Sequence, residues 1–331
     1  MECIYLTKIR KSQMYLKQVY LGLNSWWRYF IGIIAIFLFY FIGQLLLYVA
    51  IIMNAKDYDS GILALQKFET TMDFTSLGMD KNIIFILLIS MFIFAMIGLY
   101  LVVRFIHNKD FLKLITPFAR INYSKILFGF LFWFLLSLGF EAINYFSDPS
   151  NYTFRWNPTG FLPLLIISFL LLPVQTSFEE LFFRGYIMQG LAYFSKNKWI
   201  PILFSSLLFG LVHGTNPEVA KYGFWTMQTY YVMAGLFLAI ITVMDDGLEL
   251  ALGVHAATNI FGATLFTYEG SVLQTDSLFI SHQINPMLMV YAFLIAGITF
   301  IIICKKKYFW PGFSYLFTKV ENGKDEIPNF T

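Results

Sequence analysis

The sequence predicts an all-α polytopic membrane protein, with about eight transmembrane helices around a polar intramembrane cavity and both termini cytoplasmic. Three observations carry this. Of 331 residues, 58% are hydrophobic, 20% aromatic and only 13% charged, which leaves too little polar surface for a soluble fold of that size. The apolar residues gather into eight runs, most of about 20 residues, the length that crosses roughly 30 Å of hydrocarbon. Lys and Arg also sort by side: about 17 fall in the leader, the even-numbered loops and the tail, about 5 in the other loops, with Arg184 inside a span.

In order, a basic amphipathic leader (Lys8, Arg10, Lys11, Lys17) reaches an aromatic, cationic edge at Trp26-Trp27-Arg28. The predicted spans are Tyr29 to Met53, Ile83 to Val103, Ile126 to Phe146, Phe161 to Phe183, Trp199 to His213, Phe224 to Met244, Leu248 to Phe266 and Met287 to Cys304. Residues 1–125 hold the leader and first two spans, 126–304 the core bundle, and 305–331 a cytoplasmic tail opened by Lys305-Lys306-Lys307. The first apolar run is too long for a cleavable signal peptide. Asp57, Asp59, Asp73 and Asp80 read as a solvated face of the first outer loop.

Cys3 and Cys304 match no metal-ligand or redox spacing. A net charge of +3 gives no reason to expect a nucleic-acid partner. Trp156, Trp199, Trp225 and Trp310 suit interfacial belts, His107 and His282 fall in exposed loops, and Glu141 and Asn144 read as interhelical packing residues.

The chemistry lies in the fourth, fifth and seventh spans. Each charge at the centre of a span costs about 2.5 to 3.5 kcal/mol on the insertion scale, yet Glu179, Glu180, Arg184 and His213 all fall inside apolar segments. Such residues are functional by default. Glu180 and Arg184 are four apart and so can neutralise each other, whereas Glu179, about 100° round the helix, has no local partner. Pro173 should bend or open the helix six residues earlier. The midpoint between Glu179 and His213 falls at Lys196, in a polar turn, so two antiparallel helices would bring both to one depth.

His255 and Asn259, also four apart, project from one face of a helix whose start carries a capping-box pattern, Asp246-Gly247-Leu248-Glu249. Measured along straight helices, His255 lies about 15 Å in and His213 roughly 25 Å. The depths agree only if the fourth and fifth helices overhang the bilayer or tilt. Glu179, His213 and His255 make a set able to bind Zn²⁺ with one position open for water. They could equally work without metal, Glu179 as general base assisted by His213, with His255 and Asn259 donating to an oxyanion. The residues leave both routes open.

The ordered set Glu179-Glu180-x-x-x-Arg184, Phe209-x-x-x-His213 and His255-x-x-x-Asn259 resembles the CPBP family of intramembrane proteases, which includes the type II CAAX prenyl endopeptidases and bacterial Abi proteins. The resemblance covers about residues 161–266. It implies an eight-helix fold with a cavity opening toward the cytoplasmic side, and peptide-bond hydrolysis by water activated at Glu179 and His213. His255 and Asn259 would bind the oxyanion or a metal, Glu180 and Arg184 would support the site, and Zn²⁺ is the implied cofactor. The expected partners are a peptide or protein substrate at the membrane and the lipid bilayer, in a bacterial inner membrane. The rival readings are a proton-coupled transporter or channel, since buried Glu and His also build proton relays, and a catalytically silent membrane scaffold.

Overall fold

The computed structural model describes residues 15–71 and 74–320. Lys8, Arg10, Lys11, Cys3 and Asp73 lie outside them, as does the tail beyond Val320. The helices are α1 (Trp26–Asn54), α2 (Tyr58–Thr71), α3 (Lys81–Leu101), α4 (Tyr123–Ser147), α5 (Pro158–Glu180), α6 (Met188–Ser195), α7 (Trp199–Val212), α8 (Pro217–Tyr222), α9 (Phe224–Asp245), α10 (Glu249–Thr264) and α11 (Pro286–Lys307). Between α5 and α6 the chain winds as a π-helix, Leu181–Ile187, and a second π segment, Val102–Ile106, extends α3. The fold is thus all-α and polytopic.

A helix occupies each of the eight predicted segments, but among the described residues only six are long and apolar enough to cross a bilayer. The other two are α7, with 14 residues, and α10, with 16. At 1.5 Å per residue they reach about 21 and 24 Å, short of the hydrocarbon thickness. Apolar content alone could not separate them from spans: α10 is walled by protein and reads as hydrophobic all round, while α7 keeps exposed apolar side chains such as Phe204 and Leu211 and falls short in length. Most of α10 is buried, including Leu250, Ala251, Val254, Ala257 and Ile260.

The run from Pro158 to Ser195 forms one 38-residue rod, about 57 Å long at helical rise. It overhangs any bilayer, and this removes the mismatch in depth between His213 and His255. The irregularity expected at Pro173 lies further on: α5 continues through Pro173, and the winding loosens at Leu181. Every residue from Phe178 to Gly190 is buried.

Helices associate in lipid through close packing rather than hydrophobic drive, so small residues decide where backbones meet. A Cβ at Gly253 of α10 would lie 2.1 Å from the Ile126 carbonyl oxygen of α4, and one at Gly129 of α4 2.7 Å from the Leu250 carbonyl oxygen. This crossing holds α10 inside the bundle. α1 packs on α3, α7 on α9, and α5 lies against both α3 and α10.

Both described ends of the chain meet at one end of the bundle. The turn Tyr15–Leu21 packs on α6, and the Tyr20 hydroxyl donates to the Val320 carbonyl at 3.2 Å. At the opposite end, β1 (Tyr152–Phe154), β3 (Phe279–Ser281) and β2 (Phe266–Tyr268) form a small sheet in the order β1-β3-β2, antiparallel then parallel. Strands of three residues are too short for an alternating pattern to announce them.

Several local expectations are corrected. The capping box at α10 does not form: its N-cap is Leu248 with no side-chain cap bond, because Asp246 accepts from the Tyr15 amide and Glu249 from the Asn122 amide. Trp310 is buried and donates to Asp245 Oδ1 at 2.9 Å, unlike the exposed Trp156 and Trp225. His107 is also buried, its ring nitrogens bonded to the Leu23 carbonyl and the Tyr186 hydroxyl. Asp80 caps α3 by accepting from the Asn82 and Ile83 amides.

Candidate active site

The rod Pro158–Ser195 supplies the acids. Glu179 and Glu180 stand on the last turn of α5, and Arg184 follows within the π segment. Arg184 is fully buried, so its charge must be met locally. Nη1 donates to Glu180 Oε1 at 2.8 Å, Nη2 to the Gly235 carbonyl of α9 at 3.3 Å, and the guanidinium lies over the Phe209 ring at 4.3 Å. The carbonyl is reachable because α9 runs bare here: a Cβ on Gly235 would meet Ser206 Cα at 3.0 Å.

α10 brings His255 to the same place. Its Nδ1 lies 2.7 Å from Glu180 Oε1 and its Nε2 3.6 Å from Glu179 Oε2. A carboxylate only accepts, so Nδ1 carries the hydrogen and donates. The ring therefore stands between two carboxylates, and one oxygen of Glu180 serves both Arg184 and His255. Two acids, a guanidinium and an imidazole thus meet in one buried volume.

Glu179 is 7% exposed. Gln175, one turn back, donates to its Oε1 at 3.3 Å, while Oε2 has no hydrogen-bond partner among the described residues. A buried carboxylate oxygen left so is costly and has room to accept from a substrate or a water. Tyr40 of α1 lies within electrostatic reach of the same carboxylate.

His213 ends α7, and Gly214 follows it directly. Its Nδ1 donates to the Phe209 carbonyl at 2.7 Å, which makes Nε2 the free nitrogen of the neutral ring. Its ring lies 4.4 Å from that of Phe209 and 4.6 Å from that of Tyr231. Glu179, His255 and Arg184 are all within its electrostatic reach. Asn259 is half-buried one turn beyond His255. Glu141 accepts from Tyr152 at 2.7 Å, toward the sheet end of α4.

Zn²⁺ would need Glu179, His213 and His255 to converge on one point. Among the described residues no group of three His, Cys, Asp or Glu side chains gathers closely enough to hold a metal ion. Each imidazole donates Nδ1 to a protein acceptor, His255 to Glu180 and His213 to Phe209, which leaves Nε2 as the nitrogen a ligand would meet, but the three side chains do not gather closely enough around one point. The residues as arranged do not fit the ion.

Sequence reasoning missed Gln175, Tyr231 and Glu218. Gln175 was discoverable, four residues before Glu179 on the same helix face. Tyr231 reaches His213 through tertiary packing, Glu218 acts only on Tyr231, and neither carried a signal.

Comparison with known proteins gives three results. The family described as Type II CAAX prenyl endopeptidase Rce1-like matches residues 158–261, a stretch containing Glu179, His213, His255 and Asn259. The chain is 32% identical over 275 residues to the uncharacterized protein YyaK of Bacillus subtilis (strain 168), spanning 80% of this chain and 87% of that protein. It is 31% identical over 106 residues to the UPF0177 protein YxdF of Lactococcus lactis subsp. lactis (strain IL1403), 32% of this chain and 52% of that protein. No solved structure matches significantly.

Proposed function

Because this chain belongs to the Rce1-like family of type II CAAX prenyl endopeptidases, an integral multi-pass membrane protein of a protease family, we propose that it hydrolyses a peptide bond near a terminus of a membrane-delivered peptide or protein. One observation carries the chemistry: the Glu179 carboxylate, fixed at one oxygen by Gln175, presents its other oxygen unpartnered beside His255.

In this reading Glu179 Oε2 takes a proton from a water that also donates to His213 Nε2, and the hydroxide attacks the scissile carbonyl carbon. The His255 ring and the Asn259 side-chain amide donate to the oxyanion that develops. Glu179 then returns its proton to the leaving amine. Glu180 and Arg184 hold His255 and the rod in register. No step is routed through a metal.

The bacterial relatives support a bacterial plasma membrane, with both chain ends on the basic, cytoplasmic side. The core bundle, residues 126–304, would carry the reaction. The decisive experiment is cleavage of membrane-presented peptides by the purified full chain in proteoliposomes, beside Glu179→Gln. Cleavage by wild type alone supports the reading, and equal cleavage by both overturns it.

A further inference from the structure

His213 is placed at an insecure point. It is the C-cap that follows the last residue of α7, its N–H tied back to the Gly210 carbonyl at 3.1 Å, and Gly214 behind it offers no side-chain support. An imidazole that must present one nitrogen to a water needs its ring held, because a misplacement of about 1 Å costs on the order of 10²-fold in rate.

Tyr231 of α9 stacks on the His213 ring at 4.6 Å and 28°. Its hydroxyl donates to Glu218 Oε1 of α8. The Asn216 amide donates to the Tyr231 oxygen at 3.1 Å and to Glu218 Oε1 at 3.4 Å. Asn216 is the N-cap of α8, yet makes no side-chain cap bond there.

Glu218 is only 2% exposed; Tyr231 and Asn216 meet its Oε1, and the Val272 backbone lies beside the carboxylate. The nearby cation Lys221 is engaged by Glu269 instead. Burying a carboxylate is expensive even where it is hydrogen-bonded, and a plain structural strut between α8 and α9 could be built from apolar residues at no such cost.

We propose that Glu218 and Tyr231 are positioning residues for His213: the carboxylate anchors the phenol, and the phenol ring holds the imidazole with Nδ1 on the Phe209 carbonyl and Nε2 free. The effect on rate rests on the hydrolase reading above. The orientation of the ring does not, and it can be measured separately.

The test uses the full chain in detergent or proteoliposomes, with Glu218→Ala, Glu218→Gln, Tyr231→Leu and Tyr231→Phe compared at equal folded amount. Nitrogen-15 histidine NMR, with the His213 signal assigned through His213→Gln, reports the tautomer directly. Wild type should show a single Nδ1–H form. Glu218→Ala and Tyr231→Leu should show mixed tautomers, and Glu218→Gln, which keeps an acceptor for the phenol, should restore the wild-type pattern.

In the cleavage assay kcat should fall about ten- to a hundred-fold in Glu218→Ala and Tyr231→Leu with KM within about two-fold, and Tyr231→Phe should lie between. A lost fold would lower active protein without this split. An unchanged His213 spectrum in both Glu218→Ala and Tyr231→Leu overturns the proposal whether or not the chain cleaves. Mixed tautomers in Glu218→Ala and Tyr231→Leu, beside a wild-type chain that keeps the single form but cleaves nothing, would sustain the positioning and remove the hydrolase reading.

Discussion

His255 and Glu180, 75 residues apart in sequence, meet at 2.7 Å. The oxygen that receives His255 also receives Arg184 at 2.8 Å, so one carboxylate fastens the π segment to α10. Removing it strands a fully buried guanidinium. Losing one partner of a buried pair costs about 3 to 5 kcal/mol, so Glu180→Ala and Arg184→Ala should both lower the thermal midpoint and the yield of monodisperse protein. A wild-type melting curve for Glu180→Ala would contradict this.

Glu179 should behave in the opposite way. Its Oε2 makes no hydrogen bond that folding relies on, and Gln is nearly isosteric. Glu179→Gln should melt like wild type while cleavage falls by at least about 10²-fold, the scale of a lost general base. Paired melting and single-turnover assays measure both.

The arrangement of donors predicts the response to chelators. Since Glu179, His213 and His255 do not close a ligand set, cleavage should survive prolonged treatment with EDTA or phenanthroline, and elemental analysis should find less than stoichiometric zinc. Activity lost on chelation and restored by added Zn²⁺ would show that the three side chains move together around an ion.

The α4–α10 crossing should be intolerant of bulk. With backbone atoms of α4 at 2.1 and 2.7 Å from a Cβ at Gly253, Gly253→Leu must push α10 away and carry His255 from the acids. The expected outcome is loss of cleavage and a lower midpoint by more than the ~1 to 3 kcal/mol of ordinary overpacking, because backbone cannot repack as side chains do. Gly262, with open space around its Cβ position, provides the control in Gly262→Ala.

Outside the spans, His107 gives a pH dependence of stability. Burial pushes its pKa down from 6.5 to about 4. Between those values the unfolded chain binds more protons than the folded one, so stability is full above about pH 6.5 and declines as pH falls toward 4. Thermal midpoints of wild type should drop across that window, and His107→Gln should show a shallower slope from a lower starting value.

Much of this protein is dictated locally. Runs of apolar residues place helices at all eight expected segments, the i, i+4 spacing of Glu180 and Arg184 yields their ion pair, and the charges inside apolar segments mark where polar chemistry gathers. A short apolar helix reads like a span whether protein encloses it, as with α10, or it keeps an exposed apolar face, as with α7, and so both read as membrane-crossing. Only the tertiary structure decided which groups meet. It gave Glu180 rather than Glu179 the direct bond to His255, buried His107 and Trp310, and set Tyr231 against His213 with Glu218 on the Tyr231 hydroxyl. Those partners come from separate helices, and their distances depend on backbone crossings such as Gly129 with Gly253, which no local pattern encodes.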